Sequence, residues 1–165
     1  MNLAIASGKG GTGKTTLAVN LALCAGVPAR YLDCDVEEPN GHLFLRPVFT
    51  ERAPLVLPVP AVAPERCDGC GRCAEVCRFN ALAAVKSGLV VFPELCHACG
   101  GCLLVCPRGA LSEGRREIGV VESGFAGDLA FVHGRLRVGE ALAPPLIRAV
   151  RKHATPDRLN ILDAP

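Results

Sequence analysis

The sequence has no tryptophan, one tyrosine and six phenylalanines, so it lacks the aromatic platforms on which single-stranded nucleic acids stack. Its net charge is only +2, too small for an electrostatic face toward nucleic acid or an anionic membrane. Neither is expected as a partner. No apolar run approaches the ~20 residues of a membrane span. No cationic segment precedes an apolar one at the N-terminus, so no secretory signal is read and a cytoplasmic location is expected. Lysine is scarce too: of 18 basic residues 14 are arginine, leaving Lys9, Lys14, Lys86 and Lys152. Two of these four fall in one short glycine-rich loop.

What is present is an ordinary globular composition, 50% apolar and 21% charged over 165 residues, with room for one domain or a partial domain plus a small second one. The exception is ten cysteines. In a reducing compartment these are expected to be metal ligands or catalytic thiols.

The run LAIAS (residues 3–7) has the makings of a buried strand. Gly8-Lys9-Gly10-Gly11-Thr12-Gly13-Lys14-Thr15 then fits G-x-x-x-x-G-K-[ST] at every fixed position, and the next stretch, beginning Thr15-Thr16-Leu17, has helical apolar spacing that ends at Gly26-Val27-Pro28. Strand, glycine loop and helix form the context in which this motif binds phosphate. Glycines let backbone N–H groups close on phosphate oxygens, the helix N-terminus adds its dipole, and Lys14 adds a charge. Thr15 is placed to ligate Mg²⁺. A second strand, ARYLDCD (29–35), carries Asp33 and Asp35 with period-2 spacing, which turns both carboxylates to one side of an extended chain. Cys24 and Cys34 read as small apolar fillers. At the other end, LNILDAP delivers Asp163 from a strand-like run.

Between these segments the composition changes. PERCDGCGRCAEVCRFNAL (64–82) and PELCHACGGCLLVCPRGAL (93–111) align without a gap at an offset of 29 residues, as two copies of one supersecondary unit do. Each contains C-x2-C-x2-C-x3-C, the spacing of bacterial two-cluster ferredoxins. Three thiolates two residues apart can wrap one face of a cubane, and the fourth points to the other cluster. Crossed ligation follows: Cys67, Cys70, Cys73 and Cys106 for one [4Fe–4S], Cys96, Cys99, Cys102 and Cys77 for the other. Gly69, Gly71, Ala98, Gly100 and Gly101 are small enough for backbone N–H groups to approach the sulfides. Zinc is the competing ligand, but structural zinc usually takes two CxxC pairs on separate knuckles. Arg78 lies beside a ligand, where a cation would raise the potential of the neighbouring cluster; Asp68 and His97 also lie beside ligands, where charge tunes potential, although an ordinary solvated side chain is the simpler reading of both.

Lys9 in GKGGTGKTT resembles the deviant phosphate loop of the MinD/ParA ATPases and the nitrogenase iron protein. The resemblance implies that Lys9 reaches the partner's phosphates across a nucleotide-sandwich homodimer, that Asp35 orients the attacking water, and that Asp33 sits near the metal. The end ILDAP resembles the start of that family's D-x-P-P-G loop, making Asp163 the Walker B-type carboxylate. The arrangement as a whole resembles MinD-superfamily ATPases with an inserted ferredoxin domain, and it implies an N-terminal part of a longer ATPase. The expected fold is therefore α/β: a partial parallel P-loop NTPase sheet (1–53 and 113–165) with an inserted α+β ferredoxin domain (54–112). Three parallel strands are expected, together with a Pro-rich linker (54–65) and two or three short strands over 118–141. The expected cofactors are two [4Fe–4S] clusters and ATP with Mg²⁺. The expected function is nucleotide-coupled electron transfer to a redox partner protein, with an ATP-dependent cluster carrier or a redox-sensing regulatory ATPase as alternatives.

Overall fold

Apolar runs bounded by glycine, proline and aspartate build a six-stranded sheet, and the cysteine repeat builds a smaller unit beside it in sequence. The computed structural model describes residues 1–9 and 11–165. The elements in order are β1 (Asn2–Ile5), α1 (Lys14–Leu23), β2 (Ala29–Asp33), α2 (Gly41–Leu45), β3 (Val48–Val62), α3 (Arg72–Val76), β4 (Leu82–Val85), β5 (Gly88–Val91), α4 (Gly101–Leu104), β6 (Leu111–Ala126), β7 (Leu129–Leu136), α5 (Pro144–Arg151) and β8 (Leu159–Asp163). Among the described residues no helix is long and apolar enough to cross a membrane. Contacts divide the chain into two compact units, Met1–Leu55 with Ile118–Pro165, and Val56–Glu117.

The large sheet runs β1-β8-β2-β7-β6-β3. β1, β8, β2 and β7 are parallel neighbours, and β6 is antiparallel to β7. The fold class is thus α/β with a mostly parallel sheet. Successive side chains of a strand face opposite sides, and β2 shows both. Ala29 and Tyr31 join the apolar cluster that includes Ala18, Val19 and Ala22 of α1. Arg30, on the other face, hydrogen-bonds through Nη1 to the His153 carbonyl just beyond α5. Pro144 and Pro145 start α5 and Arg151 ends it, the polarity that the missing proline N–H and the helix dipole favour. Tyr31 and Phe131, opposite each other on β2 and β7, stack at 5.5 Å.

Two expectations need correction. The parallel set has four strands, because β7 joins it beside β2. The Pro-rich segment expected to be a linker is the last strand in the sheet order, β3, an edge place where the missing proline donors cost no ladder bond. The stretch 118–141 holds two strands with turns, as expected: the end of the long β6, and β7, joined at Gly127-Asp128. Gly139, at φ 81°, makes a second turn, but Gly119, Gly124 and Gly134 are not turns. A Cβ on Gly119 would lie 2.5 Å from the Arg135 carbonyl oxygen and 2.8 Å from Leu146, and one on Gly134 2.7 Å from Val36. They admit close packing.

The second unit is α+β. A short antiparallel hairpin, β4–β5, accompanies α3 and α4, around a small core of Cys73, Leu82 and Cys102 with Ala74, Leu89, Val91, Leu103 and Leu111 against it. The repeat is conformational as well as sequential. Pro64–Arg66 and Pro93–Leu95 both form single 3₁₀ turns, and α3 and α4 occupy equivalent positions. Gly69 and Ala98, Gly71 and Gly100, and Asn80 and Gly109 all have positive φ.

Candidate functional site

Two sites emerge, one in each unit. In the first unit the parallel ladders end in one row: Ile5 pairs with Asp163, Asp163 with Asp33, and Asp33 with His133. In an open α/β sheet the crevice beyond the carboxyl ends of the strands is where ligands bind. From β1 the chain enters the glycine loop. There the Ser7 hydroxyl bonds the Lys9 carbonyl (2.8 Å) and the Thr12 hydroxyl (2.7 Å), pinning the loop across its own base. Gly11 and Gly13 have positive φ, and Gly13 is the N-cap of α1. A Cβ on Gly8 would meet no atom within 4 Å, so the protein's own packing leaves that space open to a bound group. α1 has neither a side-chain cap nor an acidic residue in its first turn, so its leading N–H groups keep their attraction for an anion. Lys14 and Thr15, at its start, are half-buried, and Lys9, Thr12 and Thr16 are exposed. Gly10 lies outside the described residues.

Asp163 is 1% exposed. Its Oδ2 accepts the Tyr31 hydroxyl at 2.8 Å, and its Oδ1 is buried without a hydrogen-bond partner. A buried, half-used carboxylate is costly, and a cation or its bound water would complete it. That fits Mg²⁺. Asp33 is spent locally instead. Its Oδ2 accepts the Gly41 N–H at 2.9 Å and its Oδ1 the Asp35 N–H at 3.2 Å, folding the loop after β2 back on the strand. Burial pushes its carboxyl up to about 7, against the lowering from the Gly41 N–H and with a further raising by Asp163. β2 ends at Asp33, so strand alternation does not extend to Asp35, which is half-buried on the loop. Burial also pushes the Tyr31 hydroxyl upward, and the Cys34 thiol up to about 12. Cys34 is a buried filler, as expected; Cys24, at the α1 C-terminus, is exposed and fills nothing.

Sequence reasoning missed three residues here. A Cβ on Gly41 would fall 2.5 Å from the Tyr31 ring, so Gly41 both clears room for Tyr31 and donates to Asp33. Its Asn40-Gly41 setting suggests only a turn. Glu122 and His133 pair across the β6–β7 hairpin, His133 Nε2 lying 2.9 Å from Glu122 Oε2. Burial lowers the His133 pKa, against the raising by Glu122. Polar residues at facing positions of two apolar strands were the available signal, and it is visible only once the hairpin register is known.

In the second unit, the eight repeat cysteines fall into two groups around two cavities. One, of about 20 Å³, is lined by Cys67, Cys70, Cys73 and Cys106, with Gly69, Gly71 and Ala110. The other, of about 200 Å³, is lined by Cys77, Cys96, Cys99 and Cys102, with Ala98, Gly100 and Gly101. These are the two crossed quartets. The described residues hold no group of three or more His, Cys, Asp or Glu gathered as for a single metal ion; the thiols stand around spaces instead. Backbone donors already face sulfur: Ala98 N–H to Cys96 Sγ (3.4 Å) and Ala110 N–H to Cys106 Sγ (3.3 Å). The N–H of Ala110, chief among several, lowers the Cys106 pKa, while burial raises those of Cys73 and Cys102. A thiolate ligand needs that compensation. The donor set and its N–H groups fit iron–sulfur clusters. The smaller cavity has space for little more than a water, so its thiol side chains must turn outward to admit one.

Residues 66–111 match the 4Fe-4S dicluster domain family. This part of the chain is a ferredoxin-like iron–sulfur domain. The whole chain is similar to an uncharacterized protein of Methanocaldococcus jannaschii, 36% identical over 169 residues. That alignment takes in 100% of this chain and spans 59% of the length of its relative.

Proposed function

We propose that this chain belongs to an ATP-binding iron–sulfur protein in which nucleotide state governs electron transfer through two [4Fe–4S] clusters. The grouping of the eight cysteines into two crossed quartets carries the reading. Cys67, Cys70, Cys73 and Cys106 would hold one cluster and Cys77, Cys96, Cys99 and Cys102 the other, and the clusters supply one-electron chemistry when bound. The domain match to residues 66–111 supports this part.

The nucleotide part rests on the glycine loop, the uncapped α1 and the half-used Asp163. In this reading the loop N–H groups and Lys14 hold the phosphates of ATP. Thr15 and Asp163 hold Mg²⁺, one through its hydroxyl and the other through its free carboxylate oxygen. Asp35, free of the strand, orients water at the γ-phosphate, and Lys9 reaches the nucleotide of a second copy in a homodimer. Asp33, near the metal as the family resemblance implies, positions the Asp35 loop through its two backbone bonds.

The test is an anaerobic redox titration followed by electron paramagnetic resonance, with and without MgATP, on the wild type and Lys14→Ala. A potential shift of about 59 mV is a tenfold change in a one-electron equilibrium, so shifts of a few tens of millivolts register. The expected result is a nucleotide-dependent shift that Lys14→Ala abolishes. Intact clusters whose potentials and electron delivery ignore MgATP would sink the coupling. A second reading, ATP-driven cluster delivery, draws on the exposure of Cys70 and Cys99. Transfer of iron and sulfide to an apo-ferredoxin on ATP addition would favour it.

A further inference from the structure

Asp163 has two carboxylate oxygens, and the protein itself uses one. The Tyr31 hydroxyl donates to Oδ2 at 2.8 Å, and Oδ1 stays buried without a hydrogen-bond partner. The sheet register produces that division. β2 and β8 are parallel neighbours, with Tyr31 opposite Ile161 and Asp33 opposite Asp163. Side chains two residues apart share a face, so all four stand on the side where Tyr31 and Ile161 pack with Ala18, Val19 and Ala22 of α1. Tyr31 lies one pleat behind the end of its strand, and its hydroxyl reaches diagonally to the carboxylate on the next.

Two neighbours hold the donor in place. Phe131 stacks on the Tyr31 ring at 5.5 Å with planes 8° apart. At the hydroxyl end the backbone of Gly41 closes in: a Cβ there would lie 2.5 Å from the ring and 2.7 Å from the hydroxyl oxygen. Gly41 is itself tied down, its N–H donating to Asp33 Oδ2 at 2.9 Å. Burial pushes the Tyr31 pKa upward, so the hydroxyl keeps its proton and remains a donor. A carboxylate that gives one oxygen to a fixed donor has one oxygen left for a cation. Magnesium is small and near-octahedral, and suits single-oxygen ligands. Calcium takes more ligands and often both oxygens of one carboxylate.

Resting on the reading that Thr15 and Asp163 hold the cation of a bound nucleotide, we propose that Tyr31 sets which cation the site accepts. By occupying Oδ2 it confines Asp163 to one-oxygen ligation and so favours Mg²⁺ over Ca²⁺. Tyr31 touches neither cation nor nucleotide; it is a positioning residue that acts through Asp163. Gly41 is the second half of the device, because any side chain there would push the hydroxyl off its acceptor.

The test is the affinity of the whole reconstituted chain for ATP, by titration calorimetry in Mg²⁺, in Ca²⁺ and in EDTA. The wild type is expected to bind about tenfold or more tighter in Mg²⁺ than in Ca²⁺, and most weakly in EDTA. Tyr31→Phe keeps the ring and its stacking and removes only the donor. It should narrow the Mg²⁺ to Ca²⁺ ratio to within about threefold and leave the affinity in EDTA within about twofold of wild type. Gly41→Ala, which keeps the hydroxyl but displaces it, should narrow the ratio in the same sense, and carries the test if Tyr31→Phe does not fold. Asp163→Asn should remove the benefit of either cation. A wild type that binds no ATP, or binds it equally well in EDTA, overturns the nucleotide and metal reading and this proposal with it. A wild-type preference for Mg²⁺ that survives Tyr31→Phe overturns the role of Tyr31 alone. So does a wild type that binds equally in Mg²⁺ and Ca²⁺. A Tyr31→Phe loss equal in all three media does the same, since a merely structural residue would act in that way.

Discussion

The unit made of Met1–Leu55 and Ile118–Pro165 buries Tyr31, Leu32, Phe131, Ile118, Leu146 and Ile161 almost completely. The unit Val56–Glu117 buries three of its own cysteines, with Leu82, two alanines and little else. The first has a sheet with helices packed on its faces and holds itself together by apolar area. The second is too small and too thinly packed for that, as domains of its size often are. Its missing stability has to come from cluster ligation, which is folding free energy wherever the unfolded chain offers no preformed site. The two units thus differ in what a lost group does to them, and that difference can be broken experimentally.

The largest effect is expected from removing the clusters, by chelation or by Cys73→Ala with Cys102→Ala. Amide exchange protection across 56–117 should fall by more than about a hundredfold, with β2, β7 and β8 keeping theirs. A uniform loss through both units would show that they are one cooperative body. The converse change comes next. Phe131→Ala should cost the first unit about 3–5 kcal/mol, measured by denaturant unfolding, and leave iron content and cluster spectra as in the wild type.

A smaller effect separates the units by pH. Asp33 has a folded pKa raised to about 7. A raised carboxyl pKa means that the folded state holds its proton longer than the unfolded state. The associated stability is therefore complete below about pH 4 and lost as pH rises toward 7. About three units correspond to at most about 4 kcal/mol. Asp33→Asn should flatten this decline for the first unit, followed through the exchange of β2 amides, and leave the second unit's profile alone. A wild-type profile flat across that window would refute the assignment. The smallest change concerns Ala98, a non-glycine with φ 56° where the other copy has glycine. Ala98→Gly should relieve about 1 kcal/mol of left-handed strain, while Gly71→Ala, at φ 78°, should cost a similar amount. Both are read from thermal loss of the cluster absorbance.

How much of this was legible follows from how local each signal is. The cysteine quartets could be read because ligand spacing is set within a few residues, and the two copies check each other. The glycine loop and the start of α1 were legible for the same reason. The fate of 48–62 was not: three prolines within 54–60 look like a linker, and only the edge place beyond β6 makes them a strand. Gly119, Gly124 and Gly134 were misread because a glycine that admits a neighbour looks, in sequence, like one that turns a chain. Asp33 was placed near the metal by the resemblance alone, and its bond to Gly41 was not legible because that partner lies eight residues on, beyond the reach of a strand pattern.

Each thiol cavity draws three cysteines from one copy of the repeat and one from the other. Inheritance is constrained by that exchange. After such a duplication neither half can decay alone, because a lesion in either copy empties a place in both cavities, and natural selection meets the two as one heritable character. Beside the ligands the copies differ, and they differ in linked pairs: where Asp68 of one copy bonds Arg108 of the other, the counterparts His97 and Phe79 stack, so a change at one of these positions was also a change for its partner across the repeat.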